Sequence, residues 1–319
     1  MWNNIFRIII ISIIALCIVH FQGSKPIKKT EIPISNHVSD TKDIIWSKNW
    51  CDSKVYQDID TSSCVASDYQ FIQNNNGIIW VRNNNDINVF AKQLSESSHH
   101  FSDFVLVTSD GDMPIPDHLQ DEVYNTIINH PLCKAWYAQN ATTTNTILHH
   151  LPIGMDFHTI RDPFTSSQQM INFISRLASF PRKKTCKIYC DVHTVKGRSD
   201  IRDKLIDKLD QLEHIIYSEK RQDLKTTWKN YSKYKYVLSL PGAGLDCHRT
   251  WEALALGATV ITVHSPLDTL LSNYKVIILD RLERLNDMYL LDTMFETVKY
   301  KSCSVSKEEW LRKITSHLY

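Results

Sequence analysis

Tyr236-Val-Leu-Ser-Leu-Pro-Gly-Ala-Gly-Leu-Asp-Cys-His-Arg-Thr-Trp-Glu-Ala-Leu-Ala-Leu-Gly257 reads as a buried strand, a glycine loop and a helix. Residues 236–240 are the apolar strand, and Pro241-Gly242-Ala243-Gly244 is the loop. Asp246 stands where a helix cap belongs. Gly242 and Gly244 are expected to take positive φ and let the backbone approach a ligand. The helix N-terminus offers unpaired N–H groups and partial positive charge, which suit a phosphate. Arg249 on the first turn has the fork that pairs with a diphosphate. Glu252, three residues on, suits ribose hydroxyls. In an open α/β sheet ligands bind at the carboxyl ends of strands, where this loop falls. Neither the full dinucleotide glycine pattern nor a Walker lysine is present, which argues against a dehydrogenase or a P-loop enzyme. A tight turn with an Arg–Glu helix pair is the plainer alternative.

Outward from this stretch the chain alternates strand and helix, which predicts parallel sheets covered by helices. Short apolar strands are expected at 78–81, 104–107 and 135–138, with helices from Ile87 and over 117–128. A second series follows, with strands at 187–190, 215–217, 236–240, 259–263 and 276–279 and helices over 199–212 and 224–231. The amphipathic stretch with Met170, Ile171, Phe173, Ile174 and Leu177 lies between the two series. The fold class is therefore α/β with two domains. The first covers residues 45–160, 161–185 form a linker helix, and 186–319 form the second.

The chain has 319 residues, 36 Lys+Arg against 35 Asp+Glu, and 43% hydrophobic residues. That composition builds a core and excludes a disordered chain. The near-zero net charge argues against nucleic acid as partner. Eight Cys are too few for a disulfide scaffold. Cys51 and Cys64 are close enough in sequence to pair in an oxidising compartment, with buried free thiols as the alternative. Residues 1–23 carry an apolar run from Ile8 to Val19 after Arg7, which reads as a signal anchor and single-pass type II membrane helix, with a cleaved signal as the rival reading. The catalytic part is then expected in an ER- or Golgi-like lumen. Lys25, Lys28 and Lys29 after the run oppose that orientation. Residues 24–44 read as a stem, and Asn140-Ala-Thr142 and Asn230-Tyr-Ser232 are glycosylation triplets.

The segment Gly244-Leu-Asp-Cys-His-Arg-Thr-Trp-Glu-Ala-Leu-Ala-Leu-Gly-Ala-Thr-Val-Ile-Thr262 resembles the C-terminal core of exostosin-like glycosyltransferases, with Val260 where the family usually has Pro. Val105-Leu-Val-Thr-Ser-Asp-Gly-Asp-Met-Pro-Ile-Pro116, Trp136-Tyr-Ala-Gln-Asn140 and Leu151-Pro-Ile-Gly-Met-Asp-Phe-His158 resemble pieces of distant members. The resemblance implies a GT-B fold of two Rossmann-like domains, 45–160 on the acceptor side and 186–319 holding the nucleotide-sugar, and places Gly242, Gly244, His248, Arg249 and Glu252 at the nucleotide-sugar site. It also implies work without a metal ion and with no cofactor beyond the nucleotide-sugar co-substrate.

Asp110-Gly111-Asp112 has the spacing of a metal-binding acidic pair, but reads here as an acidic strand-end loop lining the cleft. A transferase that inverts the anomeric centre needs a base for the acceptor hydroxyl. Asp112, Asp156 and His158 are the candidates, each following an apolar run. Arg198 and Arg202, one turn apart, extend the phosphate site or else face solvent. His149-His150 and His99-His100 read as surface or loop residues. The expected activity is sugar transfer from a nucleotide-sugar to a glycan or glycoprotein acceptor. The rivals are a silent carbohydrate-binding or partner subunit, and a fucosyltransferase-like enzyme using a GDP-sugar.

Overall fold

The computed structural model describes residues 45, 77–180, 183–193 and 199–319. The expected anchor, the stem, the Cys51–Cys64 pair and Arg198 lie outside them. Among the described residues no helix is long and apolar enough to cross a membrane.

Two parallel sheets make up the α/β fold, each Rossmann-like with its helices. The first runs β1 (Ile78–Arg82), β2 (Phe104–Ser109), β3 (Cys133–Ala138) and β4 (Leu148–His150), in that spatial order. Helix α1 (Asp86–Glu96) connects β1 to β2, and α2 (Asp121–Ile128) connects β2 to β3. Strands so connected are buried on both faces, and β1 and β2 accordingly read as continuous apolar runs. Alternation along β3 sends neighbours opposite ways. Trp136 meets Tyr124 of α2 with ring centroids 6.1 Å apart, while Tyr137 meets Trp310 edge-on at 6.3 Å from the other face.

Helix α3 (Ser167–Ala178), capped by Ser166, leads to the second sheet. Its Phe173 stacks on Trp228 of α5 (Leu224–Lys233) at 6.3 Å, so the linker packs on the second half. The second sheet consists of β5 (Thr185–Cys190), β6 (Ile215–Tyr217), β7 (Tyr234–Leu238), β8 (Thr259–Val263) and β9 (Val276–Leu279), in spatial order β6-β5-β7-β8-β9. Helix α4 (Asp200–Ile206) precedes β6, α6 (His248–Ala255) joins β7 to β8, and α7 (Asp268–Leu271) precedes β9. The strand order reverses direction between β5 and β7, which opens a crevice at their carboxyl ends.

Several expectations shift. The second helix starts at Asp121 rather than 117, because residues 116–119 form a turn, with Leu119 N donating to Pro116 O at 2.7 Å. Helix 199–212 breaks after Ile206 into a 3₁₀ turn, Leu209–Gln211. Asp246 does not cap α6, whose cap residue is Cys247. His149 and His150, expected in a loop, form β4 and are half-buried. After β9 come α8 (Met288–Val298) and α9 (Lys307–Thr315). Helix α9 returns to the first sheet: Tyr137 of β3 donates its hydroxyl to Lys313 O at 3.4 Å and meets the Trp310 ring edge-on. Of the two glycosylation triplets, Asn140 is wholly buried and its amide donates to Gly111 O, so folded chain offers no carbohydrate acceptor there.

Candidate active site

The loops after β1, β2, β3 and β4 face the loops after β5 and β7, and the sequence-predicted residues divide between these two rims. On the second rim the glycine loop is tied down from within. Arg202 donates from Nε to Pro241 O at 2.9 Å and from Nη2 to Leu240 O at 2.9 Å. It therefore splints the loop, its half-buried guanidinium turned to backbone carbonyls. Gly242 and Gly244 do not adopt positive φ, contrary to expectation. Their lack of a side chain serves close approach: a Cβ on Gly242 would come 2.6 Å from Arg202 Nη2, and one on Gly244 would come 2.7 Å from Asn140 Nδ2.

The second contact joins the halves. Asp246 N donates to Asn140 Oδ1 at 2.8 Å, and Ile153 N donates to Asp246 Oδ2 at 2.8 Å. Both Asp246 oxygens also accept from the Trp251 indole, at 2.9 Å each. Burial outweighs these bonds and pushes the Asp246 carboxyl up to about 6. His248 crosses the same seam, its Nδ1 lying 2.8 Å from Gly154 O. A carbonyl only accepts, so Nδ1 carries the proton and Nε2 is left for the cleft. Asn140 holds φ 57 to make its contacts, a left-handed conformation that Asn tolerates best among side-chain-bearing residues.

On the first rim, the segment after β4 supplies Asp156 and His158. Asp156 is 5% exposed. Its Oδ1 accepts from Thr159 N at 3.1 Å and lies 3.3 Å from His158 Nδ1, and its Oδ2 pairs with Arg161. Burial works against the Asp156 charge, but His248, Arg161 and His158 around it hold the carboxyl below its ordinary value. His158 Nε2 points toward Asp110, 3.8 Å from Oδ1. Asp110 itself pairs with Arg82 at 3.3 Å and, like Asn140, sits at positive φ. Asp112 is exposed and lies against Gly244, where a Cβ would come within 3.1 Å of its Oδ1.

The first helical turn of α6 faces this cluster. Side-chain atoms of Asp156, His158 and His248 approach within 4.8 Å of one another. Arg161 pairs with Asp156 Oδ2 and His158 Nδ1 lies 3.3 Å from Oδ1, so this trio reads as an acid–base cluster. No side chain caps α6, which leaves its first N–H groups available. Arg249 turns its Nε to Asp191 Oδ1 at 2.6 Å and its Nη2 to Asp191 O at 3.4 Å. Asp191 Oδ2 in turn accepts from Tyr231 at 2.8 Å. Burial opposes the Arg249 charge, yet Asp191 more than offsets it and raises its pKa. One edge of the expected diphosphate fork is thus spent at the crevice between β5 and β7. Glu252 is 4% exposed, its Oε1 buried without a hydrogen bond. Burial pushes its carboxyl up, against the pull of Arg161. Its charged neighbour is Arg161 of the other rim, and no ion pair joins it to Arg249 among the described residues.

The sequence pointed to Asp112, Asp156, His158, His248, Arg249 and Glu252, and the structure brings Asp156, His158, His248 and Glu252 into one cluster. It places Arg249 beside Asp191 and Asp112 over the glycine loop. Sequence reading missed Asp191, Arg161, Arg82 and Asp246 as site partners. Asp191 carried a usable signal, a carboxylate directly after an apolar strand; Arg161 and Arg82 carried none.

No family model matches the chain, and no curated protein matches it. Among solved structures it is similar to the UDP-GlcNAc 2-epimerase from Methanocaldococcus jannaschii, at 12% identity and a TM-score of 0.39 over 79% of this chain and 80% of that one. A likeness so remote carries no argument about function.

Proposed function

We propose that the protein is a glycosyltransferase that moves a sugar from a nucleotide-sugar to a hydroxyl of a glycan or glycoprotein. The observation that supports this most is the pairing of His158 with Asp156 on one rim, opposite the uncapped N-terminus of α6 on the other. Asp156 holds the imidazole through Nδ1, and Nε2, on the Asp110 side of the ring, is the nitrogen that receives the proton of an incoming hydroxyl. His158 takes the hydroxyl proton as the oxygen attacks the anomeric carbon, and the bond to the diphosphate breaks. The negative charge gathering on the departing diphosphate is met by the first N–H groups of α6 and by Arg249, whose Nη1 has no hydrogen-bond partner among the described residues. The exostosin-like resemblance of the same segment agrees with this division of labour.

The test is thermal melting of the full chain with UDP, GDP and CMP and their common sugar conjugates, followed by product analysis. A ligand at 100 times its dissociation constant stabilises by about 2.7 kcal/mol. One nucleotide should shift the melt, and Arg249→Ala should weaken the shift. His158→Ala should leave binding in place and lower kcat by roughly 10²–10⁴-fold. A shift with no turnover would favour a binding subunit, a preference for GDP would favour the fucosyltransferase-like reading, and no shift at all would overturn the proposal.

A further inference from the structure

The segment that carries Asp156 and His158 is held peptide by peptide. Leu151 N donates to Ala138 O at 2.9 Å and Ile153 N to Asp246 Oδ2 at 2.8 Å, while Gly154 O accepts from His248 Nδ1 at 2.8 Å. Met155 N then donates at 2.8 Å to the carbonyl of Ile45, a residue far ahead of β1 in the chain. Ile45 is itself anchored, for its N donates to Val305 O at 2.9 Å and its side chain is fully buried. This crossing is the last backbone hold before Asp156, and it is tight. Gly154 sits at φ 68, and a Cβ there would come 2.3 Å from Ile45 O and 2.7 Å from Ile45 Cγ2. A backbone oxygen cannot swing aside, so within residues 153–158 only Gly154, which has no Cβ, can lie against Ile45. Beyond the crossing, core and cleft residues alternate. Met155 and Phe157 are fully buried among apolar side chains, while Asp156 and His158 belong to the acid–base cluster. A slip of one residue would exchange the two sets and put a carboxylate and an imidazole into the core.

We propose that Ile45 is a positioning residue: through the Met155 amide and its fit against Gly154 it sets the register of this segment and so delivers Asp156 and His158 to the cleft. Its value to catalysis rests on the sugar transfer proposed above; its hold on the segment does not. Ile45 lies outside both sheets, so a residue with no place on either rim governs the geometry of the cluster.

The test is hydrogen exchange of the full chain, followed by NMR at the Met155 amide with the amides of β2 and β7 as reference, together with transfer kinetics. Ile45→Ala keeps the carbonyl but removes the buried side chain that holds it in place. The Met155 amide should then exchange faster by about tenfold or more, while the reference amides keep their native rates. In the same variant kcat should fall by roughly tenfold to 10²-fold, the cost of slightly misplaced reacting groups. KM for the nucleotide-sugar should stay near native, because α6 is untouched. Ile45→Val, which keeps a branched side chain, should bring exchange and kcat back toward native. Gly154→Ala attacks the crossing from its other side, should have the same two effects, and serves if Ile45→Ala fails to fold. Native Met155 exchange in the folded variants would overturn the proposal, as would faster exchange at all amides alike, or a native kcat despite a loosened Met155. If the native chain transfers no sugar, the transferase reading falls, and Met155 exchange by itself upholds or overturns the hold of Ile45.

Discussion

Asp156 is the residue whose two duties conflict, since it is buried and must stay ionised. Buried carboxylates drift toward the neutral form, and this one is held the other way by His248, Arg161 and His158. The effect on stability has a definite sign. A carboxyl whose folded pKa lies below its unfolded value adds stability above the ordinary range, and that contribution is lost as pH falls through the folded value. Thermal melts of the native chain should therefore drop below about pH 4–5, and Asp156→Asn should flatten that acid slope while lowering the neutral-pH melt. An unchanged acid slope in the folded variant would show that Asp156 is not depressed. The Asp-x-His pair was visible in Leu151–His158 as residues following an apolar run, and both fall in the cluster. Arg161 was not visible, because an arginine after His158 looks like any surface charge until the chain folds back over Asp156.

At the scale of elements, the strand–loop–helix unit around β7 and α6 was legible because it combines an apolar run, glycines and a short amphipathic helix. The function assigned to its glycines was not. Positive φ is one reason for glycine and close approach is another, and only the folded neighbours tell them apart. Gly244 faces Asn140, whose amide is fastened to Gly111 O at 3.2 Å and whose carbonyl holds Asp246 N at 2.8 Å, so this neighbour has little room to move. Gly244→Ala should cost about 1–3 kcal/mol by overpacking, read as a lowered melting temperature; a variant as stable as the native chain would mean that the loop has slack. Strand β4 was missed for a different reason. Three residues, Leu148 to His150, give too little alternation to register, and two histidines disguise them as surface. Burial, with His317 against it, holds His149 below the ordinary imidazole value, which suits its packing 4.9 Å from the Tyr137 ring.

At the scale of the whole molecule, the two parallel sheets were legible from the alternation of apolar runs and amphipathic stretches. The return of α9 to the first sheet was not, since nothing in residues 307–315 names the partner of that helix. Trp310 is the pin, its indole donating to the Tyr274 hydroxyl at 3.1 Å and its ring edge-on to Tyr137. Trp310→Ala should cost about 3–5 kcal/mol, and a loss well under that would mean that α9 adds little to holding the first sheet. Asp246 joins the halves more directly, through hydrogen bonds donated by backbone N–H groups. Two of those amides, Ile153 and Asp246, give their protons to side chains on the other side of the seam. They make a built-in clock for the parting of the halves. In deuterated solvent they should exchange at a single rate, set by how often the seam opens, while amides on the exposed rims turn over faster. A nucleotide that spans the cleft would slow both together, and one that sits on a single half would leave the clock running at its own pace.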